Sequence, residues 1–185
     1  SLSSYVVAKS KGLPFTAIPV FPRRLFSQGQ IYVNADAGIR TPADLAGRTV
    51  GLQSFQTTLA VLAKGDLAAD YGVPLTSIKW RVHHLDTVEA KNTGKFDIAT
   101  LPEGTDLGTA LAKGDIDALF FSRTPRAKQG PQERIRRLSE DARAAEESYA
   151  RSHGYWPIMH IVALKEEAVA ANPDLPVQLM AARSE

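Results

Sequence analysis

Apolar residues in this chain fall into short blocks, and the spacing inside each block switches between helical and strand periods. Ser3 to Lys11 carries Tyr5, Val6 and Ala8 and stops at Gly12, which predicts a short helix with a glycine end. Phe15 to Phe21 is a compact apolar run and predicts a buried strand, with Pro19 placing it at an edge or ending it early. Gln30 to Asn34 predicts a second strand. Thr41-Pro42-Ala43-Asp44-Leu45 opens a short helix: Thr41 can cap, Pro42 suits the first helical position, and Asp44 favours the positive helix end. Gly47 ends it, and Arg48 to Leu52 reads as a strand.

A helix follows from Ser54 to about Tyr71, with Leu59, Leu62, Ala63 and Leu67 as its apolar stripe. Ile78 to Val82 alternates as a strand does. Asp86 to Glu103 is polar and irregular, a loop or a hairpin with Phe96 and Ile98 tucked in. Leu107 to Lys113 predicts a helix stopped by Gly114, and Asp115 to Phe121 a strand. After a Pro/Gly-containing connector, Gln132 to Arg151 predicts one long charged helix with Ile135, Leu138, Ala142, Ala145 and Tyr149 on one side. Pro157 to Leu164 predicts a strand, and Lys165 to Ala171 a helix that resumes beyond Pro173. Strands alternating with helices predict an α/β protein with a largely parallel sheet.

Composition narrows the function classes. The 185 residues are 44% hydrophobic and 23% charged, enough to bury a core without staples. Net charge is 22 − 20 = +2, and no basic run is long enough for a nucleic-acid groove. Arg134, Arg136 and Arg137 are interleaved with Glu133 and Glu140, the pattern of a solvated face. Cysteine is absent, which excludes thiol catalysis and disulfides. No apolar run approaches the ~20 residues that cross a bilayer, so membrane insertion is not expected.

Two motifs then carry a resemblance. Thr41-Pro42-Ala43-Asp44-Leu45-Ala46-Gly47-Arg48-Thr49-Val50-Gly51 and Leu111-Ala112-Lys113-Gly114-Asp115-Ile116-Asp117-Ala118 resemble stretches of type 2 periplasmic binding proteins. A closer resemblance, to the 4,5-dihydroxyphthalate decarboxylase family, rests on three stretches. They are Ala17 to Phe26, Ile31-Tyr32-Val33-Asn34, and Gly154-Tyr155-Trp156-Pro157-Ile158-Met159-His160. The resemblance implies a two-lobed type 2 periplasmic-binding-protein-like fold, truncated at its N-terminus and short at its C-terminus. Residues 1–36 and 155–185 would belong to lobe one, 37–124 to lobe two, and 125–154 to a connector and helix returning to lobe one. Two positions depart from that family: Ser27-Gln28 stands where an Arg-His pair is expected, and Ser54-Phe55 where Glu-Tyr is expected.

The expected site is an inter-lobe cleft for a small organic anion, an aromatic carboxylate by the resemblance. Ser54, Gln56, Thr57 and Thr58 sit at a helix N-terminus, whose free N–H groups suit a carboxylate; plain capping is the competing role. Arg23 or Arg24 could fork onto a carboxylate, and Arg123 is a similar candidate, against the alternative of exposed linker charges. His160, in an apolar strand, is either a proton donor or a satisfied core histidine; the residues alone favour the second, and the resemblance brings the first level with it. Adjacent His83 and His84 would face opposite sides of a strand and share no metal. No cofactor or metal is read from the sequence. The leading expectation is a cytoplasmic enzyme for non-oxidative decarboxylation of a hydroxylated aromatic dicarboxylate. The alternative is a periplasmic solute-binding protein serving an ABC permease. A third is a one-carbon or cofactor-precursor enzyme on the same scaffold.

Overall fold

A computed structural model describes residues 1–88 and 93–182. In chain order it contains α1 (Leu2–Ser10), β1 (Phe15–Arg24), β2 (Ile31–Asn34), β3 (Thr49–Leu52), α2 (Thr58–Ala69), β4 (Lys79–Val82), β5 (Asp97–Thr100) and α3 (Leu107–Lys113). These are followed by β6 (Ala118–Phe120), β7 (Ile135–Arg137), α4 (Ala142–His153), β8 (Ile158–Lys165), α5 (Glu166–Ala171) and α6 (Leu175–Ala181). The architecture is mixed α/β. Strands β5-β4-β3-β6-β2-β7 form one six-stranded sheet, and β1 and β8 form a separate antiparallel ribbon. The run β5-β4-β3-β6 is parallel, while β2 is antiparallel to both β6 and β7.

The central strands β3 and β6 are buried along almost their whole length, because helices cover a parallel sheet and leave it no wet face. Val33, Val50, Leu52, Ile78, Trp80 and Ala118 are buried in one core, into which α2 presses Ala60, Ala63 and Leu67. Trp80 can be buried because its indole N–H donates to the Leu75 carbonyl at 3.0 Å. A second cluster packs Leu107, Ala110 and Leu111 of α3 on Tyr32, Ile116 and Leu119. Local sequence sets the helix ends. Thr57 caps α2, Asp106 caps α3 and Asp141 caps α4, each side chain accepting a backbone N–H three residues on. Gly114, at φ +84°, closes α3 in the left-handed region that a side chain would disfavour.

Three expectations change. The predicted helix over 132–151 is a 3₁₀ turn, the strand β7 and only then α4, because residues 135–137 pair with β2 and Asp141 starts a new helix. Residues 42–45 form a 3₁₀ turn, although Thr41 and Asp44 do make the reciprocal capping box. Residues 97–100 form a parallel edge strand beside β4, neither loop nor hairpin; the expected loop also includes residues 89–92, which lie outside the described ones. Strand β2, within the stretch expected in lobe one, pairs with β6 in the large sheet.

Candidate functional site

The β1–β8 ribbon crosses the chain near its two ends and brings Arg23 opposite His160. Pairing is regular from Phe15 to Ile18 and then shifts before Arg23, so β1 bends within the ribbon. The bend turns Arg23 toward the C-terminal end of β6, where its Nη2 donates to the Ser122 carbonyl at 2.6 Å. Arg23, Thr57, Phe120, Ser122, Met159 and His160 line a common cleft of about 100 Å³. Its third wall is the start of α2, where Thr57 and Thr58 stand at a helix N-terminus. Unpaired N–H groups and the helix dipole make that end favourable to an anion.

The charge in this cleft is positive. Burial and the nearby Arg23 guanidinium hold the His160 imidazole below its usual pKa. At neutral pH His160 is therefore largely uncharged, and an anion beside it would favour the proton-bearing form. Arg23 uses one of its five N–H donors on Ser122, and the others remain for a ligand. Thr57 Oγ accepts the Ala60 N–H at 3.3 Å, which leaves its own hydroxyl proton to donate. Thr57 thus caps the helix and faces the cleft at once.

The other sequence candidates sit elsewhere. Ser54 Oγ donates to Asp86 Oδ1 at 2.6 Å, and Gln56 gives its backbone N–H to the same oxygen at 3.0 Å. The Gln56 side-chain Nε2 donates to the Val88 carbonyl. Both residues clamp the loop after β4 and stand outside the Arg23 cleft. Arg24 projects to the outer side of the ribbon, beside Trp156 and over the Phe21 ring at 5.7 Å. Arg123 is exposed and does not line the cleft. His83 and His84 lie beyond the end of β4, so strand alternation does not apply, and their Nδ1 atoms approach to 3.2 Å.

Sequence reasoning missed two charged residues on α2. Lys64 is buried, donates to the Phe55 carbonyl at 2.8 Å and lies 3.0 Å from the Phe55 ring centre. Burial pushes its pKa down to about 7, against a partial opposing pull from Asp86. Asp66 is buried on the neighbouring face and accepts the Ser27, Gln28 and Tyr149 side chains. A signal existed. Asp66 lies three positions after Ala63 and seven after Leu59, within the apolar stripe itself. Among the described residues no group of three or more His, Asp or Glu side chains could hold a metal ion, and no helix is long and apolar enough to cross a membrane.

A family model described as NMT1/THI5 like matches residues 1–124. The chain is similar to a 4,5-dihydroxyphthalate decarboxylase of Comamonas testosteroni, at 32% identity over 98% of this chain and 57% of that protein. It is also similar to a 4,5-dihydroxyphthalate decarboxylase of Pseudomonas putida, at 30% identity over 84% of this chain and 63% of that protein. The chain thus spans less than two thirds of the length of the curated relatives it matches. Among solved structures, the periplasmic aliphatic sulphonate binding protein SsuA of Escherichia coli aligns with a TM-score of 0.47 and 14% identity, over 97% of this chain and 50% of that one.

Proposed function

This chain belongs to the NMT1/THI5-like family, and from that premise we propose that its Arg23–His160 cleft holds a hydroxylated aromatic dicarboxylate and decarboxylates it without oxidation. The observation that carries the reading is the cross-strand placement of Arg23 against His160 at a helix N-terminus. The similarity to two 4,5-dihydroxyphthalate decarboxylases supports the choice of substrate class.

The chemistry needs an anion holder and a proton. Arg23 takes one carboxylate, and the start of α2 with the Thr57 hydroxyl takes the other. A ring hydroxyl para to the leaving carboxylate releases electrons to the ring carbon that bears it. His160, protonated once the dianion is bound, delivers its proton to that carbon. The carbon–carbon bond then breaks, its electron pair restores the aromatic ring, and carbon dioxide leaves. One proton is consumed per carbon dioxide released, and solvent returns it to His160.

The cleft encloses about 100 Å³, less than the ~150 Å³ that holds a benzene ring. A ring held here therefore extends out through the open mouth of the cleft. The test compares wild type with Arg23→Met and His160→Gln on 4,5-dihydroxyphthalate. Arg23→Met is expected to raise KM, and His160→Gln to lower kcat by about 10²-fold or more. Unchanged constants in both variants overturn the assignment. Undiminished binding with no turnover by wild type would leave a solute-binding role in its place.

A further inference from the structure

The far side of α2 carries a second cavity, separate from the Arg23 cleft and sharing no lining residue with it. It encloses about 220 Å³, above the ~150 Å³ that accepts a benzene-sized body. Ile31, Ala63, Leu67 and Leu138 supply apolar walls, and Asp66 and Arg40 also line it. Asp66 is only 8% exposed. Its Oδ1 accepts the Tyr149 hydroxyl at 3.0 Å, and its Oδ2 accepts Ser27 at 2.5 Å and, more weakly, Gln28 at 3.5 Å. All three donors are neutral. Among the described residues no cation forms an ion pair with this carboxylate.

A carboxylate has room for about four donors, so one acceptor position on Asp66 remains. A buried carboxylate without a cation is costly, and burial accordingly raises the Asp66 pKa. An ammonium group would supply both the missing charge and the missing donor. Tyr71 also lines the cavity, and its ring face suits an ammonium. Arg40 makes no ion pair among the described residues, so its fork is available to a carboxylate.

We propose that this cavity is a second ligand site, for a small zwitterion with an apolar body, its ammonium on Asp66 and its carboxylate on Arg40. An apolar α-amino acid has this chemistry. The site stands independently of the reaction assigned to the other cleft.

The test is titration calorimetry of the purified protein with L-leucine, n-butylamine and isovalerate as probes. Leucine is expected to bind one site, and each single-charge probe at least tenfold more weakly. Asp66→Asn keeps the side-chain shape and removes the charge, and should weaken leucine tenfold or more. Arg40→Met changes an exposed residue and should weaken leucine but not n-butylamine; it keeps the test decisive if Asp66→Asn fails to fold. Arg23→Met should leave leucine binding unchanged. Absence of leucine binding to wild type overturns the proposal, as does equal binding by wild type and Arg40→Met. Loss of leucine binding in Arg23→Met would place the amino acid in the other cleft and overturn it equally.

Discussion

Arg23 is held by a neutral carbonyl, Ser122, and faces no carboxylate of the protein within ion-pair distance among the described residues. Its charge is thus available to a ligand. Phthalate lacks the hydroxyls that activate the ring and serves as a non-reacting probe. Since a hydrogen bond to a charged group contributes about 1.5–3 kcal/mol, Arg23→Ala should weaken phthalate binding roughly tenfold to a hundredfold by calorimetry. His160 gives a pH signature. Its folded pKa lies below 6.5, and a bound dianion raises it, so binding takes up a proton. Phthalate affinity should rise as pH falls from 8 toward 6, and the same titration should be flat in His160→Gln. At this scale the sequence was partly legible. Arg23, Thr57 and His160 converge, whereas Ser54 and Gln56 are engaged with the loop after β4. Spacing could not separate them, because a helix start offers the same residue types for capping, loop clamping and ligand contact. The departures at Ser27-Gln28 line the Asp66 cavity, and Phe55 packs on Trp80 and Phe96. Neither Ser27-Gln28 nor Phe55 lies in the Arg23 cleft.

Helix α2 is the element on which both cavities depend. Its first residue lines one, its Asp66 face lines the other, and Lys64 is buried beneath Phe55. Lys64 has a folded pKa of about 7 against an ordinary 10.5, so the unfolded chain binds more protons between those values. Stability should therefore rise with pH from 7 toward 10.5, and Lys64→Met should lose that slope in denaturant melts. Helix α3 sits equally close to its neighbour. A Cβ on Gly108 would run into the Arg126 carbonyl, which is backbone and cannot swing away. Gly108→Ala should cost about 1–3 kcal/mol in chemical denaturation. Most elements were readable from periodicity, because glycines and capping residues marked their ends. The stretch from Ile135 to Tyr149 was misread since its apolar residues keep a helical spacing across a strand and a helix. Ser139-Glu140-Asp141 was the start signal that divides them, and edge pairing with β2 decided the rest.

For the molecule as a whole, the alternation of strands and helices gave the α/β class, but not which strands share a sheet. Strand β2 follows β1 by a few residues and yet joins the other sheet, a long-range pairing that local pattern does not encode. That partition leaves the two-stranded ribbon, packed on helices α1, α2, α5 and α6, separate from the six-stranded sheet, with the cleft between the ribbon and the end of β6. Met159 is buried in this cleft and occupies space a ring would need. Met159→Ala should lower KM for an aromatic dianion while costing about 2–5 kcal/mol of stability. An unchanged KM would place the ring elsewhere.

The central claim is that this cleft protonates a ring carbon as carbon dioxide leaves. It is tested most directly by incubating the purified protein with 4,5-dihydroxyphthalate in deuterated water and following products by chromatography with mass detection. The account predicts 3,4-dihydroxybenzoate carrying one ring deuterium, formed by wild type and strongly reduced in His160→Gln. Recovery of unchanged 4,5-dihydroxyphthalate from wild type, or equal product from His160→Gln, would contradict it.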